Sequence, residues 1–187
     1  MAKAVWKGTV LTAPVPPVMV SCGDGTSANI ITVAWTGTVN TKPPMTYISL
    51  RPTRHSYGLI KESGEFVVNL TPASLVKQAD YCGIYTGAKV DKFAKCGLTR
   101  AEAAQVRAPL IAECPVNLEC KVTQILPLGT HDMFLAEIVA VHVDEALLDA
   151  SGKLRLERAG LAAFAHGDYY ALGKKLAPFG VSVKKKR

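Results

Sequence analysis

The alternation of apolar and polar residues predicts a chain built mainly from β-strands. Residues 116–123 show the clearest pattern, because apolar side chains alternate with polar ones, as in a strand with one buried face. A turn at 129–132 and the apolar segment 133–143 complete a predicted hairpin. Further strands are predicted at residues 18–22, 29–35, 45–50 and 65–70.

Short helices are predicted between these strands. The first should cover residues 54–63, with Gly64 at its end. A second should begin at Thr71 and Pro72, because threonine is a good N-cap and proline suits the first helical position. Gly83 is the expected end of this second helix.

A third short helix is predicted from Thr99 and Glu102, which have the spacing of a capping box. Strands and helices do not alternate regularly, so a doubly wound parallel sheet is disfavoured. We therefore expect a mainly β fold, a Greek-key-like antiparallel barrel with short inserted helices. Residues 1–187 are expected to form one domain.

The formal net charge of +7 first suggests an anionic partner such as nucleic acid or a membrane. Four of these charges belong to the last residues, Lys184, Lys185, Lys186 and Arg187. We interpret residues 183–187 as a solvated basic tail, because they contain no interleaved aromatic residues and no apolar helical face. Neither nucleic acid nor a membrane is therefore an expected partner.

Cysteine usage indicates a reducing compartment. Five cysteines, an odd number, occur without a Cys-x-x-Cys pair, so neither a disulfide framework nor a zinc site is predicted. Cys82 and Cys96 are candidates for reactive thiols, although simple packing is the more common role. Prolines at 14, 16 and 17 break any signal-peptide helix, so a cytoplasmic protein is expected.

Familiar catalytic motifs are missing from the sequence. The glycines at 23 and 25 lack the third glycine of a dinucleotide-binding fingerprint, and no phosphate-binding Walker loop occurs. The four histidines show no metal-ligand spacing, and no nucleophile elbow is present. Neither a metal site nor a catalytic side chain is therefore predicted.

The segment 49–56 carries the most suggestive chemistry. It contains two arginines, a histidine and hydroxyl side chains where a strand ends and a helix begins. Arginine forks, hydroxyl donors and the positive end of a helix together suit a phosphate monoester. A capped helix with surface arginines explains the same residues equally well, and the sequence leaves the two interpretations open.

Two other segments could contact a flat ligand. Asn29, Thr32 and Trp35 lie on a predicted buried strand, where backbone groups and an aromatic ring could meet it. Lys92 and Phe93 offer a cation and an aromatic ring in a predicted loop. Ordinary core packing and a solvated loop are the default interpretations of these segments.

Taken together, these segments resemble the flavin reductase-like, FMN-binding split-barrel family, and flavoredoxins in particular. The resemblance covers most of residues 14–182 and depends on the order and spacing of many short matches. The matching segments are residues 16–18, 27–37, 43–45, 49–56, 64–70, 91–93, 169–173 and 179–180.

The resemblance implies a split β-barrel that forms a homodimer and binds FMN near the subunit interface. It implies a strand beside the isoalloxazine ring that includes Asn29, Ile31, Thr32, Val33, Ala34 and Trp35. The ribityl and phosphate side would be lined by Ser49, Leu50 and Arg51, and the phosphate would be held by Arg54, His55 and Ser56. Lys92 and Phe93 would close the site, and the residues near the ring or across the dimer would be Phe164, His166 and Tyr169.

The implied function has two forms that the sequence does not separate. One is an NADH- or NADPH-dependent flavin oxidoreductase, and the other is a flavoredoxin-type carrier that relays electrons between redox proteins. FAD could replace FMN in either. A remote third alternative is a small nucleic-acid-binding barrel, which is disfavoured because aromatic residues do not alternate with Lys and Arg along any predicted strand.

Overall fold

A computed structural model of the chain describes residues 1–183, so most of the predicted basic tail, residues 184–187, lies outside the described part. The strands are β1 (Val18–Cys22), β2 (Asn29–Val33), β3 (Thr36–Thr41), β4 (Pro44–Leu50), β5 (Glu65–Asn69), β6 (Arg100–Ala101), β7 (Leu110–Ile111), β8 (Val116–Pro127), β9 (Asp132–Val143), β10 (Ala162–Ala165) and β11 (Asp168–Ala171). The α-helices are α1 (His55–Ser63), α2 (Val76–Ile84) and α3 (Lys92–Cys96). Within residues 1–183, no helix is long and apolar enough to cross a bilayer.

Seven strands form one antiparallel sheet in the order β2-β1-β5-β8-β9-β4-β3. The sheet curls until its two ends approach each other, where the Ser49 N–H donates to the Trp35 carbonyl at 2.9 Å. This contact lies beside the connection from β2 to β3, so the barrel is closed by a short link rather than by a full ladder. The prediction of a mainly β split barrel is confirmed.

Strand β1 is buried on both faces, which explains its continuous apolar sequence. Val18 and Val20 point into the barrel, where they join a core that includes Phe66 and Phe134. Met19 points the other way, into a second core cluster beneath α2 and α3. The molecule therefore consists of a barrel and a smaller helical layer that share β1 and β2.

The predicted first helix is confirmed, because α1 ends before Gly64, whose φ of 68° is the left-handed conformation of a helix C-cap. The predicted start of the second helix is wrong in detail. The Thr71 hydroxyl is buried without a partner in the described chain, and a 3₁₀ turn, Ala73–Leu75, precedes α2. Gly83 lies inside α2, one residue before its end.

The third predicted helix is wrong, and β3 is the longest of the strands that the sequence did not predict. The Glu113 carboxylate accepts the Thr99 N–H at 3.0 Å, and the following residues pair as β6 with β7, so the capping box never forms. Strand β3 is mostly exposed and rich in polar residues, and its pattern carries no alternation. It is recognisable only as the antiparallel partner of β4.

A buried carboxylate anchors the loop between β6 and β7. Glu119 on β8 is fully buried and accepts backbone N–H groups from Ala104 at 2.7 Å, Gln105 at 2.6 Å and Val106 at 3.0 Å. The ring of His142 on β9 also pairs with this carboxylate. Burial raises the pKa of Glu119, but the N–H donors and the His142 ring outweigh it, so the pKa lies below its usual range.

We expect Glu119→Gln to lower the free energy of unfolding at pH 7 by roughly 2–4 kcal/mol, because buried N–H groups lose a charged acceptor. A carboxyl whose folded-state pKa is depressed contributes stability above its unfolded pKa, and that contribution disappears as the pH falls through the folded pKa. The two proteins should therefore converge in acid. Urea unfolding between pH 7 and pH 3 measures this difference.

Glu157→Gln is the matched control, because Glu157 pairs with Arg155 on an exposed surface. It should leave the unfolding curve nearly unchanged. If the free energy of unfolding of Glu119→Gln differed from that of the unmodified protein by the same amount at every pH, the assigned role of the carboxylate would be contradicted.

Candidate functional site

A cleft of about 470 Å³ opens where the barrel meets the helical layer. Its walls come from β2, from the loop that joins β4 to α1, from the loop after α2, and from the first residue of α3. Arg51, Arg54 and Lys92 line it together with two histidines, and no carboxylate of the described chain does so. The cleft is therefore strongly positive.

The two arginines are available to a ligand. Arg51 and Arg54 are both exposed, and neither lies within ion-pair distance of a carboxylate among residues 1–183. The side chains that form ion pairs elsewhere on the surface are Arg100, Arg107 and Arg155. Two unpaired guanidinium groups at one cleft are an arrangement that suits an anion.

Helix α1 directs its positive end at the same place. This nine-residue helix has no acidic residue in its first turn and no side-chain cap at Arg54, its N-cap residue. The first N–H groups of a helix have no intrahelical partner, and the helix dipole adds partial positive charge there. His55 and Ser56, which begin the helix, line the cleft.

Lys92 is a buried cation without an acidic partner in the described chain. Only 2% of the residue is exposed, and its ammonium group donates to the carbonyls of Ile30 at 2.6 Å and Cys82 at 2.8 Å. Burial lowers the pKa of Lys92, and the charge of Arg54 lowers it further. A buried ammonium needs either such hydrogen bonds or a counter-ion, and this one lies beside an open cleft.

Asn29 forms the floor of the cleft through two close contacts. Its side-chain amide donates to the Ser56 hydroxyl at 2.8 Å, which joins β2 to the start of α1. A Cβ atom added at Gly87 would lie 2.1 Å from the Asn29 Oδ1 atom. Only glycine therefore lets the loop after α2 pass over Asn29.

The cleft continues around Trp35 into neighbouring grooves. One small groove follows the edge of β2 and ends at Ser49. Two others are lined by the N-terminal segment around Val10 and Val15. Because β2 is the edge strand of the sheet, its outer side has no ladder partner there. Trp35 borders all of these grooves, and 39% of its surface is exposed.

Most of the predicted site residues meet at this place. Those on the main cleft are Asn29, Ile31, Trp35, Arg51, Arg54, His55, Ser56 and Lys92. Those on the adjoining groove along β2 are Thr32, Val33, Ala34, Ser49 and Leu50. The structure thus brings together residues from β2, β4, α1 and α3 that are distant in sequence.

Phe93 lies away from the cleft. Its ring is 1% exposed, packs in the second core cluster and carries the Arg100 guanidinium at 4.6 Å from its centroid. Neighbouring residues of a helix point in different directions, so Lys92 reaches the cleft and Phe93 does not. Phe93 is a packing residue, and the predicted loop around it is the first turn of α3.

The predicted aromatic residues near the C-terminus divide into two groups. Phe164 and His166 line the groove beside Trp35 and the N-terminal segment. Tyr169 lines none of these grooves; its ring packs edge-on against Phe164 at 5.2 Å, and its hydroxyl donates to Asp80 at 3.4 Å. Tyr169 therefore contacts Phe164 and not the groove itself.

Sequence reasoning assigned no role to several residues that line the main cleft: Thr53, Tyr85, Thr86, Gly87 and His131. Thr53 lies inside the segment 49–56 that pointed to phosphate. Burial lowers the pKa of His131, and the charges of Arg51 and Arg54 lower it further, so its ring is neutral at pH 7. Gly87 gives no signal in the sequence, because its role depends on its contact with Asn29.

Comparison with known proteins identifies the family. The family model "Flavin reductase like domain" matches residues 11–173. The structure is similar to the flavoredoxin of Desulfovibrio vulgaris (Miyazaki F), with 33% identity, a TM-score of 0.91, and coverage of 98% of this chain and 100% of that one. The flavoredoxin from Methanosarcina acetivorans is 28% identical with a TM-score of 0.90, and 98% of each chain is covered.

A weaker sequence match points the same way. The "FMN reductase (NADH) RutF" of Acinetobacter baylyi is 30% identical over 105 residues, which are 55% of this chain and 53% of that protein. The family match covers most of the chain, and both flavoredoxin structures align over nearly all of it. The chain therefore belongs to the flavin reductase-like family, and its chemistry is flavin-linked electron transfer or reduction.

Proposed function

We propose that the cleft binds FMN and that the protein is an NADH- or NADPH-dependent flavin oxidoreductase. The observation that carries the proposal is a cleft with three cationic side chains and no carboxylate of the described chain on its wall. A phosphate monoester is the anion that such a site suits best. Two flavoredoxins and an FMN reductase among the similar proteins support the choice of a flavin.

The phosphate end of the site is assigned to the start of α1. Arg54 and His55 stand at the helix N-terminus, and Arg51 approaches from the preceding turn. Lys92 supplies a buried positive charge from α3. Each of these groups favours the doubly charged form of a phosphate, and together they orient the rest of the ligand along β2.

The ring end of the site is assigned to the edge of β2 and to Trp35. The groove there is lined by Ile31, Thr32 and Val33, whose backbone offers hydrogen-bonding groups to a flat heterocycle. When bound, the flavin supplies the redox chemistry by taking up and releasing electrons on its ring. The protein's task is to orient that ring and to restrict access of water to it.

The alternative function is a flavoredoxin-type carrier that keeps its flavin and exchanges electrons with other redox proteins. The similarity to two flavoredoxin structures favours it, and the similarity to an NADH-dependent FMN reductase favours the enzyme. Both functions use the same site. We further propose that the chain works as one domain in the cytoplasm, and that FAD is the alternative cofactor.

We also propose that the protein is a homodimer. The terminal segments carry exposed apolar side chains, including Trp6 at 70%, Leu176 at 98% and Phe179 at 105% exposure. Exposed apolar residues in this number are typical of surfaces that another chain covers. The N-terminal segment also lines the grooves beside Trp35, so a second copy would lie close to the flavin site.

Replacing Arg54 tests the phosphate site. Because the Arg54 side chain does not cap α1, Arg54→Ala should leave the helix intact and weaken FMN binding by roughly 1.5–3 kcal/mol, the range for a hydrogen bond to a charged group. Equilibrium titration monitored by flavin fluorescence measures the change. Arg158→Ala, at an exposed 3₁₀ turn, is the control and should bind FMN normally. Equal affinity in both variants would contradict the site.

Reduction by nicotinamide nucleotides tests the enzymatic function. We expect the flavin absorbance of the loaded protein to bleach when NADH or NADPH is added without oxygen, and to return when air is admitted. Stopped-flow absorbance measures the rate with each nucleotide. If dithionite bleaches the flavin but neither NADH nor NADPH does, the enzymatic function is contradicted and the carrier function is favoured.

Light scattering during size-exclusion chromatography tests the dimer. We expect the full chain to elute at twice its monomer mass, and the double variant Trp6→Ser, Phe179→Ser to shift toward the monomer because it removes exposed apolar area. Circular dichroism checks that the variant is folded. A monomer in the unmodified protein at all concentrations measured would refute the proposal.

A further inference from the structure

Two cysteine sulfurs lie close together behind the cleft. The Sγ atoms of Cys82 on α2 and Cys96 on α3 are 3.9 Å apart. Cys82 is fully buried, and Cys96 is partly exposed at the C-terminal end of α3. Within residues 1–183 no other pair of sulfurs is in contact, and all five cysteines are free thiols.

Closing this pair needs only a small movement. The sulfurs of a disulfide are about 2.05 Å apart, so the present separation must shrink by about 1.9 Å. Helix α3 has five residues and is followed by its C-cap Gly97, whose φ of 62° is left-handed. A helix this short, held by loops at both ends, can shift as a unit more readily than a strand of the barrel.

Lys92 connects the sulfur pair to the cleft. Lys92 and Cys96 are four residues apart on α3, so they lie on the same face of the helix. The Lys92 ammonium also donates to the carbonyl of Cys82 at 2.8 Å. A shift of α3 that brings Cys96 to Cys82 would therefore also move the Lys92 ammonium relative to the cleft.

We propose that Cys82 and Cys96 form a redox-active pair whose closure to a disulfide weakens ligand binding in the Lys92 cleft. The oxidant is a hydroperoxide, for which hydrogen peroxide is the simplest example. The sulfur of Cys96 attacks one peroxide oxygen, the O–O bond breaks, and a sulfenic acid and water form. The sulfur of Cys82 then displaces the hydroxyl as water, so two thiols and one peroxide give one disulfide and two waters.

The reverse reaction uses an external dithiol. Its thiolate attacks the disulfide through a mixed disulfide, and the two electrons return to Cys82 and Cys96. Burial raises the pKa of Cys82 to about 12, and it also raises the pKa of Cys96 despite the nearby Lys92 and Lys95. Both thiols are thus protonated at neutral pH, so oxidation should be slow and should follow sustained exposure to peroxide.

Peptide mapping tests the disulfide without any flavin. Trypsin cleaves between the two cysteines, so the disulfide must join the peptides 78–89 and 96–100. We expect this linked pair in protein treated with hydrogen peroxide, and its loss after treatment with a dithiol. Cys96→Ser should abolish it, whereas Cys114→Ala, in the same core cluster, should retain it. Oxidation of Cys96 to sulfinic acid without the linked pair would overturn the proposal.

The effect on the cleft rests on the proposed function and uses FMN as the probe. We expect the oxidised protein to bind FMN roughly fivefold more weakly than the reduced protein, at the lower end of ordinary coupling between sites. By reciprocity, bound FMN should raise the reduction potential of the pair by about 20 mV, since about 30 mV corresponds to tenfold for two electrons. Cys96→Ser should bind FMN equally before and after peroxide.

The two failures are distinguishable. A linked peptide pair with unchanged FMN affinity would overturn the coupling and leave FMN binding in place. Failure of the reduced protein to bind FMN at all would overturn the proposed function, while the peptide map would still decide whether the disulfide forms.

Discussion

The buried ammonium of Lys92 is the interaction on which the architecture of the site depends. It joins three elements, because the lysine belongs to α3 and donates to carbonyls on β2 and α2. An ammonium taken out of water is destabilised by several kcal/mol unless it is hydrogen-bonded or paired. Two carbonyl oxygens provide part of that compensation. The remaining positive charge lies beside the cleft, where a bound anion would complete the compensation.

If the proposed function is right, the same charge favours anionic ligands in the cleft. Arg51, Arg54 and Lys92 line one cleft together, and no carboxylate of the described residues lines it, so these positive charges repel one another. Burial is the main cause of the lowered pKa values of Lys92 and His131, and the charges of neighbouring arginines lower both further. A bound dianion would relieve this repulsion and a neutral ligand would not, so we expect charge to contribute to the choice of ligand.

The sequence predicts those strands whose residues show a regular pattern of apolar and polar side chains. Strand β8 was recognisable from its alternation of apolar and polar residues, but its predicted wet face is wrong in part, because Asn117 and Glu119 are buried. Strands β1, β2 and β9 were recognisable from their apolar runs. Strand β3 was not recognisable, because an exposed edge strand has no burial pattern. The capping box at Thr99 failed because a distant carboxylate, Glu113, binds the N–H group that the box would need.

In the candidate site, too, residues with a local sequence signal were predicted, and residues that depend on distant contacts were not. Arg51, Arg54 and His55 were identifiable because their chemistry is concentrated in one short segment. Phe93 lies away from the cleft because sequence adjacency to Lys92 does not place it on the same face of the helix. Gly87 could not be found, because the need for glycine in this loop arises only from its contact with Asn29 on β2.

The cleft lies between the barrel and the helical layer, so one part of its lining can move while the other stays fixed. Its arginines belong to the β4–α1 connection, which the barrel core holds through Leu50 and Ile60. Lys92 belongs to the separate helical layer, whose core is smaller. Because the two parts have separate cores, a shift of α3 can move Lys92 while the arginines stay in place. Changes in the helical layer should therefore alter how tightly an anion is held without abolishing the site that holds it.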